Sequence, residues 1–110
     1  MKKSEKYLQH IDASISLIFD AISKKPSIFF EDIHIQNAVY RYFEIIGEAT
    51  KCLPAEFKHS NPEINWRTIA GLRDVIIHQY DGVDPNEIWR IIEDDLPNLH
   101  KQIKDLLASC

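Results

Sequence analysis

An all-α fold, an up-and-down bundle of four main helices, is what this sequence predicts, on three observations. Apolar residues recur at three-to-four spacing in four segments. No segment alternates with the period of two that a half-buried strand would need. Glycine is scarce, 3 in 110 residues, and the 5 prolines sit mostly where one helix should hand over to the next.

The first helix is expected over residues 4–24. Tyr7, Leu8, Ile11, Ile15, Leu17, Ile18, Phe19 and Ile22 recur there with Lys, Gln and Asp between them, and Pro26 closes it. A short connection, PSIFFED, leads to a second helix from Asp32, a suitable N-cap, to Cys52. Its apolar face combines Ile35, Val39, Phe43, Ile46 and Ala49, and Pro54 ends it. PAEFKHSNPEIN then carries turn signals and one helical turn. A third helix runs from Asn65 or Trp66 to Tyr80, with Gly82 placed to stop it. Asp84-Pro85 opens the fourth, with Asp as cap and Pro at the first helical position. Pro97 lies inside that last helix, so a kink or break is expected near it.

Length and composition set the frame for function. The chain, residues 1–110, fits one domain, and 45% apolar residues suffice for one modest core. A net charge of −4 argues against a general electrostatic attraction to nucleic acid, so any basic patch must be local and created by folding or dimerisation. Cys52 and Cys110 form no CxxC pair and read as thiols of a reducing compartment. The basic start is followed by Glu5, His10 and Asp12, which interrupt any signal-peptide core, and no apolar stretch is long enough to span a bilayer. A soluble, cytoplasmic protein with no membrane partner is the expectation.

RDVIIHQY, Arg73 to Tyr80, is the segment least like packing. Val75, Ile76 and Ile77 are expected to secure a buried helix, while Arg73, His78 and Tyr80 punctuate it. At roughly 100° per residue, Arg73 and Tyr80 nearly eclipse one another, and His78 points roughly 140° away from Arg73. One regular helix cannot gather all three. Either it deforms near Tyr80 or a second copy supplies the missing groups. Asp74, four residues before His78 on the same face, could orient the imidazole by accepting a proton from one ring nitrogen. A bland reading competes, because a lone Arg, His or Tyr on a bundle helix is usually a packing residue.

Metal chemistry has weaker support. Glu31-x-x-His34 and Glu56-x-x-His59 match the Glu-x-x-His unit of di-iron bundles, with Glu44 and Glu48 as further candidate ligands. Both matches fall near Pro-bounded helix starts or loops, where facing helices would not present them. There is no HExxH, Cys/His cluster, Gly-rich phosphate loop or Gly-x-Ser-x-Gly elbow. Neither a metal nor a cofactor is expected.

Arg73-x-x-x-x-His78-x-Tyr80 resembles the R-x-x-x-x-H-x-Y signature of HEPN-domain proteins. IIGEATK, NPEINW and IAGLRD before it, and VDPNEIW and DLPNL after it, are similar in order to the HepT-like branch over nearly the whole chain. Asp74 departs from the pattern, since many relatives carry Asn there. The resemblance implies a HEPN-like helical homodimer whose two motifs meet at a composite cleft. It implies a metal-independent ribonuclease acting as the toxin of a toxin–antitoxin pair. The partner would be an MntA-type nucleotidyltransferase that transfers AMP to Tyr80 and so silences the nuclease.

These residue types suit that chemistry. Histidine titrates near neutrality, so His78 can move protons to and from a ribose 2′-OH nucleophile and a 5′-oxygen leaving group. Arg73 stays charged and can hold the phosphate. Tyr80 could contact phosphate or position substrate, and AMP on it would add bulk and negative charge. Arg41, Lys51 and Arg67 are candidates to extend the basic cleft toward RNA. The alternative is a non-catalytic helical partner of a nucleotidyltransferase, binding nucleotide or substrate without cutting RNA.

Overall fold

The computed structural model describes residues 2–22, 27–78 and 83–109, with side chains over 4–22, 27–76 and 83–109. It is all-α. Seven helices follow one another among the described residues: α1 (Lys2–Ile22), α2 (Ile28–Glu31), α3 (Ile33–Cys52), α4 (Ala55–Ser60), α5 (Trp66–His78), α6 (Pro85–Arg90) and α7 (Leu96–Ala108). A single π turn, Ile91–Asp95, joins α6 to α7. The four main helices expected from periodicity are α1, α3, α5 and the α6–α7 rod.

Local chemistry accounts for most boundaries. The Asp32 carboxylate accepts from the backbone N–H groups of His34 (2.9 Å) and Ile35 (3.4 Å), satisfying donors that α3 would otherwise leave open. Asp84 caps α6 the same way, accepting from Asn86 N–H at 3.0 Å with Pro85 in the first turn. Asn65 Oδ1 accepts from Thr68 N–H at 3.1 Å and starts α5. The C-terminal boundaries expected at Pro26 and Gly82 lie outside the described residues.

One short helix was not expected, and another is longer than expected. α2 folds within PSIFFED, and α4 extends the single turn expected after Pro54 to six residues. Both are too short for an apolar period to register. The irregularity expected near Pro97 is also more specific than a kink. Pro97 has no N–H to give the carbonyl of Glu93. The helix widens into the π turn just before it, so that Pro97 stands in the first turn of α7.

The core runs along the inner faces of α1 (Leu8, Ile11, Ile15, Ile18), α3 (Val39, Phe43, Ile46) and α7 (Leu96, Leu99, Ile103), with Trp66 and Ile69 from α5 and Ile88 from α6. Each such side chain contributes about 1.5–3 kcal/mol by leaving water. Leu17, counted with the apolar stripe of α1 by spacing, is instead 46% exposed. Around the bundle, α3 packs against both α1 and α5, and α1 packs against α7. α5 and α7 flank an open groove of about 560 Å³, lined by Leu72, Val75, Ile91, Leu96 and Leu99 among others. Val75 is therefore 43% exposed rather than buried, and Ile76 half-buried. These two residues of the motif's apolar run do not simply bury themselves in the core, and the Ile77 side chain lies outside the described residues.

α5 approaches α3 at one narrow crossing. A Cβ added to Gly47 would stand 2.7 Å from Arg73 Cβ, 3.0 Å from Arg73 N and 3.2 Å from Ala70 O. Glycine inside a helix costs about 0.5–1 kcal/mol relative to alanine. Here it is what allows the arginine-bearing turn of α5 to lie directly on α3.

Candidate functional site

Arg73 leaves that crossing with its side chain 37% exposed. Its Nε donates to Glu48 Oε2 on α3 at 2.8 Å, and its Nη1 lies 3.7 Å from Asp74 Oδ1. The same Asp74 oxygen accepts from Lys51 Nζ at 3.0 Å. Glu48, Lys51, Arg73 and Asp74 thus form a charged bridge between α3 and α5. Exposed ion pairs contribute about 0–1 kcal/mol each, so the bridge matters for aim more than for stability. Glu48 engages one edge of the guanidinium and fixes the direction of the rest.

Beside the bridge lies a groove of about 270 Å³ lined by side chains of α1, α3 and α5. Arg73 and Arg41 supply its positive charge, Glu44 and Glu48 its negative charge, and Tyr7 and His10 line it from α1. Arg41 is loosely paired with Glu44 at 3.9 Å. The two arginines and two glutamates offset one another within a single chain, so one copy does not by itself make a strongly positive cleft.

The sequence-derived site residues fall into three groups. Arg73, Asp74, Lys51 and Arg41 gather on this side of the α3–α5 seam. Arg67 stands apart, lining a separate groove with Lys58, His59 and Trp66. His78 is the final residue of α5, but its side chain lies outside the described residues, as does all of Tyr80. Asp74, expected to orient His78, holds Lys51 on one of its oxygens.

Three members of this arrangement escaped sequence reasoning in their present roles. Sequence patterning offers Glu48 only as a candidate metal ligand, yet it holds Arg73 across 25 residues of sequence. Tyr7 and His10 belong to a helix whose spacing marks it only as a core element. The one available signal was Gly47, a glycine in a strong helical segment, which marks a close helix crossing.

The candidate metal ligands are not assembled. Glu31 ends α2 while His34 lies in α3, Glu56 and His59 are exposed on α4, and Glu48 is taken by Arg73. Among the described residues no three His, Cys, Asp or Glu side chains converge. Among the same residues, no helix is long and apolar enough to cross a membrane.

Comparison with known proteins bears on the whole chain. A family model described as "Ribonuclease HepT-like" matches residues 11–106. A Thermococcus cleftensis protein named "Probable ribonuclease HepT" is 42% identical over 96% of this chain and 98% of its own length. A Caldanaerobacter subterraneus protein named "Putative RNase TTE0752" is 39% identical over 97% of this chain and 96% of its own length. No solved structure matches significantly. Extent of match and identity agree, and the chain belongs to the ribonuclease HepT-like family.

Proposed function

We propose that this protein is a metal-independent endoribonuclease, the toxin of a toxin–antitoxin pair, acting through Arg73, His78 and Tyr80 at a homodimer cleft in the cytoplasm. The observation that carries the reading is the placement of Arg73, the first residue of the motif. It stands on the Gly47 crossing, held by Glu48 at 2.8 Å, beside a groove large enough for part of a nucleotide. The names of the full-length relatives support the same substrate class.

In this reading the ribose 2′-oxygen attacks the adjacent phosphorus and the 5′-oxygen leaves. The products are a 2′,3′-cyclic phosphate and a 5′-hydroxyl. One His78 removes the 2′-OH proton, and the His78 of a second copy gives a proton to the leaving oxygen. Arg73 stabilises the charge that grows on the phosphoryl oxygens. Pairing two copies would place two Arg73 side chains near one phosphate. Asp74 orients His78, and Arg41, Lys51 and Arg67 are the candidate outer contacts to RNA.

Regulation follows from Tyr80. An MntA-type nucleotidyltransferase would transfer AMP to its hydroxyl, with pyrophosphate leaving ATP, and the added phosphate would repel RNA from the cleft. Two measurements test the proposal. RNA cleavage that persists in EDTA and vanishes in His78→Ala supports the nuclease; an equally active His78→Ala sinks the role of that histidine. A mass increase in steps of one AMP on co-expression with the nucleotidyltransferase, absent in Tyr80→Phe, supports the switch. An unchanged mass contradicts it.

A further inference from the structure

Tyr7 and His10 share the groove with Arg73, and nothing in the motif chemistry uses them. Their rings are perpendicular, with planes at 87° and centroids 6.3 Å apart. Tyr7 is half-buried and packed against the core, so its ring is held in place, whereas His10 is exposed. Lys6 Nζ stands 5.9 Å from the centre of the Tyr7 ring. The same groove therefore brings together the Tyr7 and His10 rings, with a cation over Tyr7, and the Arg41 and Arg73 side chains.

That pairing is the recognition chemistry of a single-stranded nucleotide. Bases stack on aromatic and imidazole rings, and guanidiniums take the phosphate. The volume, about 270 Å³, falls just below the roughly 300–1,000 Å³ of pockets that hold drug-sized ligands. It suits one base with its neighbouring phosphate. Glu44 and Glu48 add acceptors along the wall for ribose hydroxyls or base N–H groups.

We infer that Tyr7 and His10 form a nucleobase subsite that seats one unstacked base of the RNA beside the phosphate held by Arg73. The inference rests on the ribonuclease reading for its substrate, and it assigns α1 a part in binding that substrate. Stacking tolerates every base, so the subsite anchors the strand without strongly choosing its sequence.

The test separates the subsite from the chemistry. A short single-stranded RNA carrying 2′-O-methyl riboses cannot supply the attacking hydroxyl, so its equilibrium binding to the full-length protein is measured without cleavage. A second set of strands carries one abasic position, moved along the sequence. Tyr7→Leu and His10→Ala should each weaken binding of the complete strand by about tenfold, the scale of one lost stacking contact, while Tyr7→Phe binds like wild type. With the abasic position at the seated nucleotide, the penalty of Tyr7→Leu and His10→Ala should disappear. Tyr7→Leu keeps apolar bulk against the core, and His10 is exposed, so neither variant depends on refolding α1. Wild-type affinity in both variants overturns the inference, as does an equal loss on every abasic strand or no binding by wild type. Cleavage of the unmodified strand is scored separately: binding without cleavage defeats the ribonuclease reading and leaves the subsite standing.

Discussion

Two polar clusters tie helices together in this protein, and they are built from similar side chains. Between α1 and α7, His100 Nε2 lies 2.9 Å from Asp12 Oδ1 and 3.3 Å from Ser16 Oγ, and Lys104 Nζ lies 3.3 Å from the same Asp12 oxygen. Between α3 and α5, Glu48 holds Arg73 while Asp74 holds Lys51. By residue type the first looks the more catalytic, since it unites Ser, His and Asp. Its geometry says otherwise. Hydroxyl and carboxylate both approach the same ring nitrogen, whereas a relay needs one on each. His100 is also mostly covered, 18% exposed, and lies against the Phe19 ring at 5.8 Å. The α3–α5 cluster is more open, lines a groove with Arg73, and leads directly into the motif. Exposure and direction, more than composition, mark the α3–α5 cluster as the better candidate site.

That contrast can be broken in several places. Arg73→Ala carries the largest expected effect: RNA cleavage falls about 100-fold or more, as for loss of a donor to developing charge. The melting temperature should barely change, because the ion pairs it removes are solvent-exposed. His100→Ala should do the reverse, leaving cleavage intact and lowering stability by about 1 kcal/mol through its lost bond to Asp12. Equal effects of both variants on cleavage would erase the distinction between the clusters.

The two described glycines of the α3–α5 pair sharpen the same comparison. Gly47→Ala should destabilise by about 1–3 kcal/mol in urea unfolding, because the new methyl meets the Arg73 backbone and Cβ. Gly71 faces no atom within 4 Å of an added Cβ, so Gly71→Ala should stabilise by about 0.5–1 kcal/mol through helix propensity. A neutral Gly47→Ala would mean that the crossing is looser than described.

The smallest effect lies at Tyr40, away from both clusters. Its hydroxyl is buried with no hydrogen-bond partner among the described residues. Burial, with a lesser contribution from the Asp84 charge, pushes the phenol above its ordinary value of 10.0. The folded state thus holds this proton more tightly than the unfolded chain does. The resulting stability is present below pH 10 and is lost as pH rises through the folded-state value. Tyr40→Phe should be neutral or slightly stabilising at pH 7 and should flatten the alkaline decline in unfolding free energy. An unchanged alkaline slope would remove Tyr40 as its source.

The sequence was legible wherever one residue decides one local event. Asp32, Pro54 and Asp84-Pro85 mark helix ends because a cap or a missing N–H acts within a single turn. α2 was not legible as a helix, nor was the full length of α4, because four to six residues cannot display a period. The π turn has no residue code of its own, and only Pro97 hinted at it. At the candidate site, the motif draws attention to Arg73 but not to its surroundings. Its partner Glu48 was not legible, because that bond depends on how closely two helices cross. Tyr7 and His10 were hidden for the same reason: spacing assigns them to α1, while only packing brings α1 to the groove.

The most direct test of the account is the chemistry of the cut ends. Purified wild-type protein and Arg73→Ala are incubated with one RNA in EDTA, and the product termini are identified. Wild type is expected to leave 2′,3′-cyclic phosphate and 5′-hydroxyl ends, at a rate about 100-fold or more above Arg73→Ala. Products that require added divalent metal, or that carry 5′-phosphate and 3′-hydroxyl ends, or that form equally fast without Arg73, would contradict it.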